Sequence, residues 1–358
     1  MTETDKTPQG KRECVPLRTQ ITEIKKAIVN GTATDEGRMT VGELVERYVA
    51  KKDGTVKNST IVLYGNIKNK ILSHRNFSQI KINKVCADDC ETFLDSLKNE
   101  DGMAYASIRL VRTVLTASFK YALRNDWIAK NPVNFSMKEA IGEDDSEKVE
   151  AITPEEKTAF LTFCKSDKIA AKYYDVMVVL FGTAMRISEF CGLIDSDIDF
   201  DSGVIHITRQ LKRTKGRLNI TTPKSKTSVR TIPFDEEVEA ALKRIISERD
   251  EQDARYKVDG VSGFLTFTRG GAPKVAVNWD ANFRIARNRF KAQTGQEVKI
   301  KPHVCRHTCI TELANEGMII PLLSGFAGHS NVTITDGRYI TKTADSIANE
   351  FRRVKEKS

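Results

Sequence analysis

The stretch His303-Val304-Cys305-Arg306-His307-Thr308 places two histidines and an arginine in six residues, and it decides how the rest of the chain is interpreted. Gly328-His329 and then Tyr339 follow it. Upstream, Arg186 stands in Gly182-Thr-Ala-Met-Arg-Ile-Ser-Glu189, and Lys224 stands in Thr222-Pro-Lys-Ser-Lys-Thr-Ser-Val-Arg-Thr-Ile-Pro233. Each residue alone has an ordinary structural explanation, as a surface charge or half-buried packing. Their joint occurrence in this order is the signal.

Length and charge set the class of protein. The chain has 358 residues, enough for two or three domains, and 40% of them are hydrophobic. No run approaches the roughly 18 apolar residues that a membrane span needs, and the polar N-terminus has no signal-peptide core. The net charge of +9 favours a polyanionic partner, although solubility alone would also explain a modest excess. We therefore predict a cytoplasmic bacterial protein with no membrane partner.

Cysteine usage and short motifs bear on cofactors. The seven cysteines are odd in number and lack framework spacing, which is typical of a reducing cytosol. Cys305 and Cys309 alternate with His303 and His307, a pattern that invites interpretation as a metal site. Ligands spaced in this way would splay around a helix, and no CxxC pair supports them. No phosphate loop or dinucleotide fingerprint occurs, so we predict neither a metal ion nor a cofactor.

The first part of the chain predicts a small helical domain after a basic arm. Residues 1–38 are polar and too short to fold alone, so we expect a flexible arm, with a short helix at Leu17–Ile28. Residues 39–137 carry helical periodicity that opens with a capping box at Thr40–Glu43. Further helices are predicted at Ser59–Leu72 and Asp88–Leu97. The clearest helix has one apolar face, formed by Ile108, Val111, Leu115, Phe119 and Ala122.

Three bases lie beside that apolar face: Arg109, Arg112 and Lys120. A solvated helix face explains them equally simply, but beside the other motifs we favour phosphate contacts. Asn131-Pro132 ends the helical pattern, and residues 138–152 are acidic with little to bury. This segment is predicted to be a linker that lets two domains close around a duplex.

Residues 153–358 predict a second domain that is mainly α with a small antiparallel β-sheet. Thr153, Pro154 and Glu156 form a strong helix start, and the apolar run Tyr173–Phe181 predicts a buried helix that delivers Arg186 at its end. Further helices are predicted at Asp235–Arg249, Trp279–Gln293, His303–Glu316, Ile320–Phe326 and Ala344–Val354. Strands are predicted at Ile198–Phe200, Val204–Thr208, Leu218–Thr221, Val229–Pro233 and Phe264–Phe267, with the Lys224 turn projecting from the sheet.

The residue types suit DNA cleavage without hydrolysis. A tyrosine hydroxyl, for which Tyr339 is the candidate, can attack the scissile phosphorus and keep the bond energy in a 3′-phosphotyrosine. Arg186 and Arg306 can hold the non-bridging oxygens in bidentate fashion, each contributing roughly 3–4 kcal/mol by analogy with an oxyanion-hole donor. Lys224 can protonate the leaving 5′-oxygen, since nearby arginines lower a lysine pKa. Lys226 lies two residues away and remains an alternative.

Two histidines complete the set. His303 precedes Arg306 by three residues, so both fall on one face if a helix begins there. It can donate to the phosphate or assist proton transfer from Tyr339, and His329 suits a phosphate donor or an orienting group. Tyr256 is a rival nucleophile, but no matching motif surrounds it.

These motifs resemble those of the tyrosine recombinases, also called phage-type integrases. The family shows an Arg-Ile/Val-Ser-Glu box, a lysine hairpin ending in Arg-x-Ile-Pro, a His-x-Leu-Arg-His-Thr box and Leu-Gly-His-Ser, with the nucleophile nine or ten residues later. The corresponding segments are Arg186–Glu189, Pro223–Pro233, His303–Thr308, Ala327–Ser330 and Tyr339. The resemblance covers roughly residues 40–350. Thr-Ala-Met stands for the usual Thr-Gly-Leu before the first arginine, and Cys305 and Ala327 each replace a leucine.

The resemblance implies a two-domain, C-shaped clamp around double-stranded DNA. Residues 39–137 are similar to the helical core-binding domain, and residues 153–358 to the catalytic domain. Residues 1–38 look like the remnant of an arm-binding domain of conjugative-transposon integrases. Glu189 is implied to support the arginine or histidine network, and Lys226 and Arg230 are predicted DNA contacts. The chain would be a monomer when free and a homotetramer on two synapsed sites, with a possible excisionase or DNA-bending accessory protein.

The same resemblance implies a C-terminal segment that docks on a neighbour, here Ile347, Ala348 and Phe351; packing within one chain is the alternative. We predict a site-specific recombinase that integrates or excises a mobile element without metal or ATP. A chromosome or plasmid resolvase of the same chemistry, a catalytically silent DNA-binding regulator and a type IB topoisomerase are the competing interpretations.

Overall fold

The structure is a computed structural model that describes residues 19, 22, 35–145, 150–214, 216–222 and 228–328. The chain divides into two compact units, Met1–Lys148 and Val149–Ser358. The predicted helices at Leu17–Ile28 and Ala344–Val354, the docking residues Ile347, Ala348 and Phe351, and the turn that carries Lys224 and Lys226 lie outside the described residues, wholly or for the most part. Within the described part, the fold is mainly helical with small antiparallel sheets, as predicted.

The regular elements that the structure describes in the first unit are all helices. Its helices are α1 (Val41–Lys52), α2 (Asn58–Ser73), α3 (Arg75–Ser78), α4 (Ala87–Asn99), α5 (Tyr105–Arg124) and α6 (Met137–Ile141), after a 3-10 turn at Asp35–Arg38. The predicted capping box is present, because the Thr40 hydroxyl accepts from the Glu43 N–H and the Glu43 carboxylate accepts from the Thr40 N–H.

The apolar face predicted on α5 forms the centre of this unit. Ile108, Leu115, Phe119 and Ala122 are fully buried, and helices α1, α2 and α4 pack around them. Burying a side chain such as Phe119 contributes about 1.5–3 kcal/mol relative to leaving it in water. The spacing of these residues therefore correctly predicted both the helix and the face that it buries.

The start of the predicted linker belongs to this helical unit. Helix α6 begins after a capping box between Ser136 and Glu139. Met137 and Ile141 are buried in the core of the unit, and the Lys98 ammonium donates to the Ile141 carbonyl over 2.9 Å. The acidic sequence that follows gave no indication that Met137 and Ile141 are buried. The division into domains at 138–152 stays a prediction.

The second unit combines helices with five short strands among its described residues. The helices are α7 (Pro154–Ser166), α8 (Ala171–Thr183), α9 (Ile187–Cys191), α10 (Glu236–Ser247), α11 (Glu251–Ala254), α12 (Ala276–Thr294), α13 (Pro302–Asn315) and α14 (Ile320–Ala327). The strands are β1 (Ile198–Asp199), β2 (Val204–Ile207), β3 (Gln210–Thr214), β4 (Arg217–Thr221) and β5 (Arg230–Pro233).

Helix α8 is the centre of this unit. Its residues from Val176 to Phe181 are all buried, and helices α7, α10, α12 and α13 pack against it. A helix that is apolar on every side is stable only when it is surrounded. The predicted start signal before it is also present, since Thr153 caps α7 and Pro154 occupies its first position.

The strands form two sheets, whereas one was predicted. Strands β1, β2 and β5 pair antiparallel in that order, and β3 pairs only with β4. Strand β3 was missed because Gln210–Thr214 is mostly polar and lacks a clear alternation. The predicted strand at Phe264–Phe267 was wrong, because Phe264 and Phe267 make only isolated bridges, to Ile194 and Pro273.

One further property concerns membranes. Among the helices of the described residues, none has the length and apolar character required to cross a bilayer.

Candidate active site

Arg186 lies at the junction of α8 and α9. Helix α8 ends at Thr183, and its C-cap Ala184 adopts a left-handed backbone with a φ of +48°. The family that the sequence resembles usually has glycine here, and a side chain in this region costs about 1–2 kcal/mol. The turn makes Arg186 the N-cap of α9, so its N–H donates to the Glu189 carboxylate over 2.9 Å. The guanidinium Nη1 donates to the same carboxylate over 2.8 Å.

Glu189 holds two arginines at once. Its side chain is fully buried, and Arg230 Nη2 donates to Oε2 over 3.0 Å while Arg186 Nη1 donates to Oε1. Burial alone would raise the pKa of Glu189, but the charge and hydrogen bond of Arg230, together with Arg186, lower that pKa below its ordinary value. Glu189 is therefore ionised at neutral pH and serves to orient the two guanidiniums.

Arg306 lies on α13 and is 1% exposed. Its Nη1 donates to the Ala184 carbonyl over 2.5 Å, and its Nη2 donates to the Ala327 carbonyl over 2.6 Å. The arginine thus connects the turn before Arg186 with the end of α14. A phosphate oxygen that contacts Arg306 therefore has to reach a buried guanidinium that already holds two carbonyl acceptors.

The two histidines of the α13 box have different environments. Helix α13 begins at Pro302, so His303 and Arg306 fall in its first turns with the spacing that the sequence prediction required. His303 is exposed and His307 is buried, and their rings meet edge to face with centroids 5.0 Å apart. His303 is therefore the histidine that is open to a substrate.

Three arginines converge on the C-terminal end of α14. The carbonyls of Phe326, Ala327 and Gly328 accept hydrogen bonds from Arg230, Arg306 and Arg186, at 2.7, 2.6 and 3.2 Å respectively. The C-terminal carbonyls of a helix are unsatisfied and carry partial negative charge, so cations stabilise them. His329 follows this point directly in the sequence, and Tyr339 lies ten residues after it.

Four of the predicted site residues lie outside the described residues: Lys224, Lys226, His329 and Tyr339. The described structure brings together Arg186, Glu189 and Arg306, with His303 on the same helix as Arg306. It also adds Arg230 to this group, which the sequence prediction treated as a DNA contact. Arg230 is almost buried, with 6% of its side chain exposed, and its guanidinium donates to Glu189 and to the carbonyls of Phe326 and Ser228.

The predicted DNA contacts of α5 divide into two kinds. Arg109 and Lys120 are exposed. Arg112 is half-buried, because its guanidinium donates to the Phe135 carbonyl and lies 5.5 Å from the centre of the Phe135 ring. Arg112 therefore has a structural role that the helical spacing did not reveal.

A second group of basic side chains was not predicted from the sequence. Arg47 lies over the Trp127 ring at 4.6 Å, and Lys51 lies over the Tyr121 ring at 4.5 Å. Arg124 is 6.0 Å from the same tyrosine ring. The spacing of Arg47 and Lys51, four residues apart on α1, is the signal that would have found them.

The cysteines near the site are not arranged for metal binding. Within the described ranges, no group of three or more His, Cys, Asp and Glu side chains is placed to hold a metal ion. Burial raises the pKa of the Cys309 thiol to about 12 and the pKa of Cys305 well above its ordinary value. Burial thus keeps both thiols protonated at neutral pH.

Two family models match the chain. Residues 150–345 match the phage integrase family, and residues 40–141 match the phage integrase SAM-like domain. The chain is 34% identical over 356 residues to the transposase from transposon Tn916 of Enterococcus faecalis, covering 98% of this chain and 86% of that protein. It is 26% identical over 336 residues to a tyrosine recombinase XerC-like protein of Caldanaerobacter subterraneus, covering 88% and 83%.

Solved structures give a consistent result. The Tn1549 transposon integrase in complex with a circular intermediate DNA matches with a TM-score of 0.82 and 34% identity, over 88% of this chain and 99% of that one. A lambda integrase dimer bound to a core site matches with a TM-score of 0.60 and 16% identity, over 92% and 88%, which shows the shared fold alone.

Proposed function

This chain belongs to the phage integrase family, and we propose that it cuts and rejoins DNA at specific sites to integrate or excise a mobile element. The observation that carries the proposal is the convergence of Arg186 and Arg306 at the end of α14, immediately before His329 and upstream of Tyr339. It brings the positive charge that a cleaved phosphate needs to the point from which the chain continues to the nucleophile.

Strand cleavage is proposed to proceed through Tyr339. Its oxygen forms a bond to the scissile phosphorus, the bond from phosphorus to the 5′-oxygen breaks, and a 3′-phosphotyrosine remains. Lys224 gives a proton to the leaving 5′-oxygen, with Lys226 as the alternative, and His303 or His329 assists removal of the tyrosine proton. Rejoining is the reverse reaction with a new 5′-hydroxyl, so neither metal nor ATP is required.

The arginines are proposed to stabilise the transition state. The Arg186 guanidinium donates to Glu189 through Nη1 and to the Gly328 carbonyl through Nη2, and 35% of its side chain is exposed. An arginine has five N–H donors, so Arg186 keeps donors for a non-bridging oxygen. Arg306 is buried and donates to the Ala327 carbonyl, so its contact to phosphate depends on how the end of α14 is placed.

The partners and the domain organisation are proposed on the same basis. The relatives include an integrase whose structure was determined in complex with DNA, and this supports double-stranded DNA as the substrate here. We propose that residues 39–137 and 153–358 form a clamp around the duplex, joined by 138–152. A monomer in solution would become a homotetramer on two sites, with an excisionase or bending protein as a possible accessory, in the bacterial cytoplasm.

A covalent adduct tests the proposed function. Nicked suicide duplexes, tiled across the DNA that flanks the gene, are incubated with the protein in EDTA and without ATP. We expect a covalent protein–DNA band that Tyr339→Phe abolishes. Tyr256→Phe is the matched control, because Tyr256 is 42% exposed and outside the motifs, and it should leave the band unchanged.

Two outcomes would contradict this proposal. An adduct that persists in Tyr339→Phe assigns the nucleophile elsewhere. Tight binding to one duplex without any adduct identifies a DNA-binding regulator. A two-site assay on the same duplexes distinguishes recombination from the single-site relaxation of a topoisomerase.

A further inference from the structure

Arg230 connects three separate parts of the second unit. It is the first residue of β5, and its Nη2 donates to Glu189 on α9 over 3.0 Å. Its Nε donates to the Phe326 carbonyl on α14 over 2.7 Å, and its Nη1 donates to the Ser228 carbonyl over 3.1 Å. All three nitrogen atoms of the guanidinium are therefore in bonds to the protein.

The backbone around Arg230 is shaped to accept it. Gly328 follows α14 with a φ of +66°, which favours glycine. A Cβ atom at this position would lie 2.9 Å from Arg230 Nη1 and 3.1 Å from its Cδ. The guanidinium thus packs directly against the residue that precedes His329 in the sequence.

We propose that Arg230 is a positioning residue for strand cleavage. Through Glu189 it orients the Arg186 guanidinium, and through the Phe326 carbonyl it fixes the point at which the chain leaves α14 towards His329 and Tyr339. The inference rests on the proposed function. It assigns Arg230 to the placement of other groups, without contact to the reacting phosphate.

Burial distinguishes this role from the DNA contact that the sequence suggested. The Arg230 side chain is 6% exposed and its Nε, Nη1 and Nη2 all donate to protein acceptors, whereas the Arg186 side chain is 35% exposed. The planar fork of arginine also matters, because it reaches a carboxylate and a carbonyl in fixed directions. A lysine ammonium can keep the attraction to Glu189 but loses this geometry.

Two variants test the role, Arg230→Lys and Arg230→Met. For each, the dissociation constant for a duplex that wild type cleaves is measured separately from the single-turnover rate of adduct formation on bound DNA. We expect DNA affinity within about threefold of wild type. The cleavage rate should fall roughly 10²-fold in Arg230→Met, because small misplacements near a reacting centre have effects of this size, and should recover in part in Arg230→Lys.

The matched control is Arg289→Met. Arg289 makes a two-bond ion pair with the buried Asp167, at 2.7 Å for each bond, and lies outside the site. This variant should lose stability but cleave at the wild-type rate per folded molecule. Thermal unfolding of all three variants sets the temperature at which each is folded.

The outcomes separate the two proposals. If wild type forms no adduct, the proposed function fails. If wild type cleaves and Arg230→Met weakens DNA binding with its bound-state rate unchanged, Arg230 contacts DNA and the positioning role is overturned. If both quantities match wild type, the role is also overturned. Should Arg230→Met not fold, the rate of Arg230→Lys decides, and a wild-type rate overturns the inference.

Discussion

The residue scale is dominated by one buried carboxylate among three guanidiniums. Glu189 is bonded to Arg186 and Arg230. Arg306 joins these two arginines at the C-terminal end of α14, where all three donate to backbone carbonyls. A buried ion is costly unless it is paired and hydrogen-bonded, and removing one partner costs about 3–5 kcal/mol. One carboxylate against three arginines leaves this group positively charged. The arrangement is therefore held rigidly and still attracts a phosphate.

Gly328→Ala tests that rigidity with a single methyl group. The left-handed backbone at Gly328 should cost about 1–2 kcal/mol of stability for alanine, and the new Cβ would displace Arg230. We expect Gly328→Ala to lower both the stability of the protein and its single-turnover cleavage rate. Gly295→Ala is the control, because Gly295 has a φ of +72° at the end of α12 and no heavy atom within 4 Å of the new Cβ. Equal cleavage rates in the two variants would contradict the steric argument.

At the scale of elements, a buried aspartate connects two helices of the second unit. Asp167 follows α7 and accepts two bonds from Arg289 and one from Gln293, both on α12. These bonds from Arg289 hold the pKa of Asp167 well below its ordinary value, while burial acts in the opposite direction. The N–H groups of Ile169 and Ala170 also donate to it.

The pH dependence of Asp167→Asn follows from the sign of that shift. A carboxyl whose pKa is lowered by folding adds stability above its unfolded pKa near 3.9, and this contribution is lost as the pH falls through its folded value. We expect Asp167→Asn to lose about 2 kcal/mol at pH 7, less than for a fully buried pair because Arg289 is 33% exposed. Urea unfolding should show the difference from wild type shrinking below about pH 4. A difference that is constant from pH 7 to pH 3 would contradict the assignment.

Sequence patterns predicted the elements whose signals are local. The boxes at Thr40 and Thr153 and the apolar spacing along α5 each involve residues within one or a few turns, so their consequences were readable. The β3–β4 hairpin was not, because Gln210–Thr214 is polar and is stabilised by pairing with Arg217–Thr221. Pairing energy depends on the partner strand, which local composition does not reveal.

The site shows the same limit. The motifs identified Arg186, Glu189 and Arg306 as a group, and the structure brings these residues together. They did not identify the burial of Arg230, whose acceptor on α14 lies 96 residues away in sequence. Burial of a charged side chain depends on such distant acceptors, which the local sequence does not show. A basic residue in a basic segment is therefore predicted to lie at the surface.

At the scale of the whole molecule, the excess of positive charge predicts that DNA affinity depends strongly on salt concentration. The net charge is +9, and in the first unit Arg109 and Lys120 are exposed on α5. Neutralising phosphates releases counterions, so affinity falls linearly with salt on logarithmic axes, with a slope of about −0.9 per phosphate contact. The slope thus reports how many arginine and lysine side chains contact DNA phosphates.

Arg109→Gln and Lys120→Gln should each make that slope shallower by about one unit, if the predicted phosphate contacts exist. Arg112→Gln is the matched control on the same helix, because Arg112 donates to the Phe135 carbonyl and is half-buried. It should leave the slope unchanged and lower the midpoint of thermal unfolding instead. The measurement is the dissociation constant on one cleavable duplex across a series of salt concentrations. If the slope is unchanged in Arg109→Gln and Lys120→Gln, the predicted phosphate contacts are contradicted, and the exposed basic residues Arg47, Lys51 and Arg124 are then the set to replace. A slope that changes in Arg112→Gln would contradict its structural role.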